Sequence, residues 1–226
     1  MAEIIALILI LLTLLTIFCL YKMLDKRGLY FSLVILDLIA FVLTFKISYI
    51  FKMNINLGII PLIASFSVLY LFINKYSNKE TKNLLAITLY SNITAALLLI
   101  IMNYFIPAIE ETISINMEGT FKYNYKILIA YPIIILLSQL ATTKLYNLLR
   151  QIQDNISISI ALTYIITGLM YTVILYLVSY IEILEIKYSL FLSISTYIIG
   201  LAITIINIIF IKILSTKKVI KWEILY

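Results

Sequence analysis

The most unusual residue in this sequence is an aspartate inside a long apolar run. Asp37 lies between Leu36 and Leu38, eight residues after the start of the run that covers positions 29–50. An ionisable group at such a position is costly in a membrane and therefore marks a candidate functional residue. Three interpretations stay open. Asp37 takes up protons as a coupling residue, it is a protonated carboxyl that hydrogen-bonds a neighbouring helix, or it reaches water at the membrane face.

A second polar patch lies in the run 126–147, where Gln139, Thr142 and Tyr146 follow one another at positions i, i+3 and i+7. A helix brings these positions to one face, which therefore has both hydrogen-bonding and aromatic character. Pro132 can also free a backbone carbonyl one turn before it. The face can bind a flat polar ligand, or it can hold two helices together by hydrogen bonds worth about 0.6–2 kcal/mol each. Both interpretations stay open.

The last apolar run, 188–213, repeats a small residue at every fourth position, at Thr196, Gly200 and Thr204. Small residues at this spacing let helix backbones approach closely, so the run predicts tight helix packing rather than a binding site. The run before it, 157–180, carries several hydroxyl groups and favours the same interpretation.

Several kinds of chemistry are excluded by residue types that the chain lacks or leaves isolated. The sequence has no histidine and a single cysteine, Cys19, so disulfide scaffolds, zinc sites and cysteine–histidine catalysis are ruled out. We find no Gly-rich phosphate loop and no nucleophile next to a base. We therefore predict that the protein is not an enzyme and uses no cofactor or metal. The net charge of +6 does not indicate nucleic-acid binding, because the cations are spread singly between apolar runs.

The composition is that of an integral membrane protein. Of the 226 residues, 64% are hydrophobic and 12% are charged, whereas a soluble domain is roughly a quarter charged. A helix needs about 20 mostly apolar residues to cross the hydrocarbon core. Seven such runs follow one another along the chain: 4–21, 29–50, 56–74, 84–107, 126–147, 157–180 and 188–213. We predict an all-α polytopic bundle of about seven transmembrane helices, in which positions 1–226 form a single integral membrane domain.

The lysines and arginines predict the orientation of this bundle. The connections after the odd-numbered runs, together with the C-terminal segment, hold twelve of these residues, and the other side holds five. Because positive residues concentrate on the cytoplasmic side, we predict an outside N-terminus and a cytoplasmic C-terminus. The first run lacks the basic start and the cleavage pattern of a signal peptide, so we expect it to be retained as a helix.

Several short motifs occur in the order and with the spacing of one transporter family. They are Asp25–Tyr30, Lys46, Leu57–Gly58, Lys75–Glu80, Ser138–Gln139 and Leu145–Arg150. On these motifs the chain resembles the queuosine precursor transporter family, also called the vitamin uptake transporter family, over almost its whole length. It is similar to a divergent member, because most of the charged intramembrane residues of that family are replaced here, for example by Thr142 and Gly200.

The resemblance implies a multi-pass importer in the bacterial inner membrane. Its expected substrate is a planar 7-deazapurine such as 7-cyano-7-deazaguanine, or a related nucleobase-like or vitamin-like compound. The implied partners are this small molecule and the lipid bilayer, without nucleic acid, and assembly into a homo-oligomer stays open. Two alternatives also stay open. One is a substrate-binding membrane subunit of a multi-component importer, and the other is a degenerate, non-transporting paralogue with a structural role.

The expected binding site comes from positions where the family is polar. The resemblance implies that Gln139 and Thr142 contact the edge of the solute. It places four further candidates opposite them: Tyr70, Asn74, Tyr164 and Thr167. Asp37 is the coupling candidate.

Overall fold

The computed structural model describes residues 2–102, 125–180 and 185–216. Within these residues the chain forms seven α-helices and one β-hairpin. In chain order they are α1 (Ala2–Leu24), α2 (Lys26–Leu43), β1 (Ile47–Ile50), β2 (Met53–Asn56), α3 (Ile59–Lys75), α4 (Asn78–Met102), α5 (Tyr125–Ile152), α6 (Ile156–Tyr180) and α7 (Ile186–Thr216). The predicted helical bundle is confirmed for this part of the chain. Residues 103–107, the end of the predicted fourth run, lie outside it.

Five of the described helices, α1, α4, α5, α6 and α7, are long and apolar enough to cross a membrane. Their outward surfaces carry large apolar side chains, among them Leu11, Leu98 and Ile205, which are more than half exposed. A surface of this kind suits lipid rather than water. Of the other two helices, α2 has 18 residues and contains three charged side chains. α3 has 17 residues, which makes it about 26 Å long.

α3 lies at the centre of the bundle. Every residue from Ile59 to Phe72 is buried, and the helix packs against α1, α2, α4, α5 and α7. Its sequence explains this position, because a helix that is apolar all round buries its whole circumference. The hydroxyls of Ser65 and Ser67 donate to carbonyls of their own helix at 2.8 and 3.0 Å. Both serines are therefore polar residues in the core whose O–H groups already have an acceptor within α3.

The predicted run 29–50 is wrong in its last third, where the chain leaves the helix. α2 ends at Leu43, and the next residues form the antiparallel pair β1–β2. Phe51 and Lys52 join the strands at φ 50° and 61°, as a two-residue type I′ turn requires. Such turns usually carry Asn-Gly, which is absent here, and the apolar strand residues look like a continuation of the helical run. The prediction of an all-α fold therefore holds for the bundle but not for this hairpin.

Replacing Phe51 and Lys52 with Asn and Gly is expected to stabilise the protein by about 1–2 kcal/mol. A positive φ costs a residue with a Cβ roughly 1–2 kcal/mol, and glycine adopts it freely. Thermal unfolding of the Phe51→Asn/Lys52→Gly variant in detergent measures the gain. Tyr49→Asn, at an exposed strand position, is the control and should give no gain. Equal stabilisation by both variants would contradict the turn assignment.

The end of the bundle opposite the hairpin, here called the basic end, is held by polar side chains of four helices. Lys26 of α2 forms an ion pair with Glu80 of α4, and the Tyr30 hydroxyl donates to the Glu80 carbonyl oxygen at 3.3 Å. Lys75 of α3 donates to the Tyr21 hydroxyl of α1. Exposed pairs of this kind contribute little to stability, because water and salt screen them. Their main effect is therefore to fix the positions of the four helices relative to one another along their axes.

Candidate functional site

Two residues that the sequence singles out separately meet in the middle of the bundle. The Gln139 side-chain amide of α5 donates to Asp37 Oδ2 of α2 at 2.6 Å, and both side chains are buried. Ser65 of α3 also interacts with the Asp37 carboxyl, but its hydroxyl donates to the Leu62 carbonyl at 2.8 Å. Asp37 Oδ1 has no hydrogen-bond partner in the described part of the chain. The coupling candidate and one binding candidate thus form a single buried pair.

An aromatic stack covers this pair on the side of the hairpin. The rings of Phe41 and Tyr131 are stacked, with 4.7 Å between their centroids and 17° between their planes. The Tyr131 hydroxyl donates to the Asp37 backbone carbonyl at 3.4 Å. Tyr171 of α6 is also buried near Tyr131 and Asp37. We call Asp37, Gln139 and Tyr131 the central layer of the site.

A second network of hydrogen bonds joins the hairpin to α6 and α7. Asn56 Nδ2 donates to the Thr44 carbonyl oxygen at 2.6 Å, and the Tyr180 hydroxyl donates to the same oxygen at 2.8 Å. The Asn56 backbone N–H donates to Thr196 Oγ1 at 3.2 Å, while its Oδ1 accepts from the Gly58 N–H at 2.8 Å. We call Asn56, Tyr180 and Thr196 the hairpin layer. No sequence signal marked it, because its members come from distant segments.

Most of the other predicted site residues lie between the central layer and the basic end. Thr142 Oγ1 donates to Thr167 Oγ1 at 3.1 Å and so joins α5 to α6. At the end of α3, Asn74 Nδ2 donates to the Tyr146 hydroxyl at 2.7 Å, and the Tyr70 and Tyr146 rings lie 5.0 Å apart. Tyr70 is buried, whereas Asn74 is exposed. We call Tyr70, Tyr146 and Asn74 the basic layer.

Tyr164 of α6 fills the space beside Gly200 of α7. A Cβ at position 200 would lie 2.0 Å from the Tyr164 hydroxyl oxygen. That hydroxyl has no hydrogen-bond partner among the described residues, and its ring stacks on Tyr197 at a centroid distance of 6.1 Å. The close approach agrees with the packing role predicted for Gly200.

Gly200→Ala is expected to destabilise the protein by about 1–3 kcal/mol, because the added Cβ would overlap Tyr164 and force its ring to move. In a helix without this contact the same change stabilises by about 1 kcal/mol, so the sign of the effect is informative. The double variant Gly200→Ala/Tyr164→Phe removes the overlapping oxygen and should recover part of the loss. Thermal unfolding in detergent measures both. A Gly200→Ala protein as stable as the wild type would show that Tyr164 does not fill this space.

The three layers form a polar column that runs through the bundle from the hairpin to the basic end. Toward the hairpin, Tyr176 adds a further buried hydroxyl, which donates to Thr196 Oγ1 at 3.4 Å. The Thr142–Thr167 hydrogen bond lies between the central layer and the basic layer. Buried polar groups are unfavourable in an apolar interior unless they find partners, and the members of the three layers find most of theirs on neighbouring helices.

The side chains of the column define what it can do chemically. Amides, hydroxyls and aromatic rings can hold a neutral polar solute, and the Asp37 carboxyl can exchange a proton. In the described ranges, no group of three His, Cys, Asp or Glu side chains lies together to hold a metal ion. A comparison of the chain with known protein families, curated proteins and solved structures finds no match.

Proposed function

We propose that this chain is a seven-span membrane transporter that imports a small planar solute. The first candidate substrate is a 7-deazapurine such as 7-cyano-7-deazaguanine, or a related nucleobase-like or vitamin-like compound. The observation that carries the proposal is the polar column, which places hydrogen-bonding groups at three depths inside helices with apolar outer surfaces. Polar residues within a membrane bundle are costly, and they commonly mark the path of a solute or an ion.

A flat and largely neutral solute suits the walls of the column. Stacked or packed aromatic rings lie on both sides of the Gln139 level, at Tyr131 toward the hairpin and at Tyr70 toward the basic end. Aromatic faces bind flat ligands by stacking, while amides and hydroxyls orient the ligand edge. Asp37 is the one ionisable carboxyl among the layers defined above, and none of their members is a cation. A strongly charged solute would therefore be poorly matched.

The proposed orientation puts the basic end in the cytoplasm and the hairpin outside. Lys26 and Lys75 lie at the basic end, where their neighbours in sequence include further cations. An excess of positive charge at one end of a bundle indicates the cytoplasmic face. With seven spans, this gives an outside N-terminus and a cytoplasmic C-terminus in the bacterial inner membrane. The shorter α2 and α3 then cross inside the longer helices.

Asp37 is the proposed coupling residue. One of its carboxyl oxygens accepts from Gln139, and the other has no partner among the described residues. A proton can therefore be added at this oxygen while the hydrogen bond from Gln139 is kept. If proton binding and solute binding favour each other there, the proton gradient contributes to uptake.

The test is uptake of radiolabelled 7-cyano-7-deazaguanine in a bacterial host that lacks both its synthesis and its own transporter. Cells that express the chain should accumulate label, and a proton uncoupler should reduce the accumulation. Absence of uptake by a folded, membrane-inserted protein, together with no binding of any deazapurine in detergent, would contradict the proposal. Uptake that requires a co-purifying ATPase pair would instead favour a subunit of a multi-component importer.

The filled space beside Gly200 favours a second candidate function, that of a non-transporting paralogue with a structural role. The Tyr164 hydroxyl occupies the position that a longer side chain at residue 200 would need. Part of the interior is therefore taken by the protein itself. Such a paralogue would fold normally and bind no nucleobase, so equilibrium binding of a deazapurine to the purified protein distinguishes the two functions.

A further inference from the structure

The described part of the structure has a surface cavity between the hairpin and the start of α7. Its volume is about 490 Å³, within the range of about 300–1,000 Å³ that is usual for ligand sites. All of its lining residues are exposed, so the cavity opens onto the outer surface of the bundle. They are Asn54, Lys187, Tyr188, Leu190, Phe191 and Ile194. None of them belongs to the polar column, and the cavity is therefore separate from the proposed transport site.

The position of the cavity along α7 corresponds to the edge of the hydrocarbon core. After Lys187 the next charged residue of α7 is Lys212, and the helix between them is about 37 Å long. The hydrocarbon core of a bilayer is about 30 Å thick and fits between these two lysines. Lys187 then lies at the level of the lipid headgroups, in the leaflet on the hairpin side of the membrane.

The lining of the cavity changes from polar to apolar along α7. Lys187 and Tyr188 lie in the first turn of the helix, and Leu190, Phe191 and Ile194 follow. From the first of these residues to the last, the helix extends about 10.5 Å toward the middle of the membrane. A phospholipid has the same order of groups, because its phosphate lies at the membrane surface and its acyl chains lie below it.

The charge of the cavity favours an anionic occupant. Lys187 is the one charged residue of the lining, which contains no carboxylate. Among the described residues Lys187 forms no ion pair, whereas Lys26 at the basic end pairs with Glu80. A lysine at the level of the headgroups attracts anionic lipids. The ammonium group of Lys187 is therefore available to a phosphate that enters the cavity from the bilayer.

We propose that this cavity binds one anionic phospholipid of the leaflet on the hairpin side. The Lys187 ammonium group and the Tyr188 hydroxyl donate to its phosphate, and one acyl chain lies along the apolar lining residues of α7. Asn54 belongs to β2 and the other lining residues belong to α7, so the bound lipid connects the hairpin to α7. This inference goes beyond the proposed transport function and depends only on the position of the bundle in a membrane.

Binding of phosphatidylglycerol and phosphatidylcholine to the purified full chain in detergent tests this proposal. The two lipids are used with identical acyl chains, and only phosphatidylglycerol has a net negative charge. The wild type should bind phosphatidylglycerol about 5-fold more tightly, which is the effect of one lysine beside an anionic headgroup. In Lys187→Gln, which removes the charge, the two affinities should agree within about 2-fold. Native mass spectrometry of the protein–lipid complexes measures the affinities.

Lys52→Gln is the matched control, because Lys52 is an exposed cation at the same end of the bundle but does not line the cavity. This variant should keep the preference of the wild type. Ile194→Trp places a larger side chain in the apolar part of the cavity and should abolish the binding of both lipids there. The inference is overturned if the wild type shows no preference, if Lys187→Gln keeps it, or if Ile194→Trp binds both lipids as the wild type does. Each of these results leaves the proposed transport function standing, since uptake tests it separately.

Discussion

Replacing Gln139 with leucine is expected to reduce solute uptake at least about tenfold and to lower the free energy of unfolding by about 1–3 kcal/mol. The Gln139 amide donates to the buried Asp37 carboxyl at 2.6 Å, and leucine would leave that oxygen without its donor. A buried polar group that loses its partner costs about 1–3 kcal/mol, and more if it is charged. Uptake is expected to fall because the carboxyl proposed to couple transport is no longer held in place.

The double variant Asp37→Leu/Gln139→Leu separates the effect on stability from the effect on uptake. It replaces both polar partners with apolar side chains, so stability should return close to that of the wild type while uptake stays lost. Unfolding in detergent and uptake in cells measure the two quantities. Thr143→Val is the control on the same helix, because the Thr143 hydroxyl donates only to the Gln139 backbone carbonyl. Strictly additive losses at Asp37 and Gln139 would show that the two side chains do not interact.

Gly28→Ala is expected to destabilise the protein by about 3 kcal/mol or more. A Cβ at this position would lie 1.9 Å from the Leu20 carbonyl oxygen and 2.9 Å from the Tyr21 nitrogen. Both atoms belong to the backbone of α1, which cannot rotate away as a side chain can. The two helices would have to separate where the chain turns from one into the other. The yield of folded protein and thermal unfolding in detergent measure the loss.

Arg27→Ala is the matched control for this change. Arg27 precedes Gly28 in the first turn of α2, and its side chain is exposed, so its removal should change stability by less than about 0.5 kcal/mol. In a helix with free space around it, Gly→Ala would stabilise by about 1 kcal/mol. A Gly28→Ala protein that is more stable than the wild type would therefore contradict the close contact between α1 and α2.

The positions of most helices could be predicted from the sequence, because long apolar runs indicate helices, but several helices differ from the predicted lengths by four to six residues. α5, α6 and α7 begin within two residues of the predicted starts. The hairpin could not be predicted, since apolar strand residues continue the pattern of α2 and the turn residues Phe51 and Lys52 carry no turn signal. The central position of α3 has a signal in hindsight, because its residues are apolar on every side.

The partners of the site residues could not be predicted, because periodicity shows which residues share one face of a helix but not which helix packs on it. Asp37 and Gln139 are 102 positions apart, and each had a separate interpretation in the sequence. The Asn56 network joins segments that no local pattern connects.

Cysteine labelling at the two ends of α3 tests most directly whether the polar column crosses the membrane. In a Cys19→Ala background, Lys52→Cys lies in the hairpin turn and Ser77→Cys lies at the basic end, and both positions are exposed. A membrane-impermeant maleimide should label the Lys52→Cys protein in intact cells and the Ser77→Cys protein only after permeabilisation. Labelling of both proteins in intact cells would put the two ends of α3 on one face of the membrane and contradict a column that crosses it.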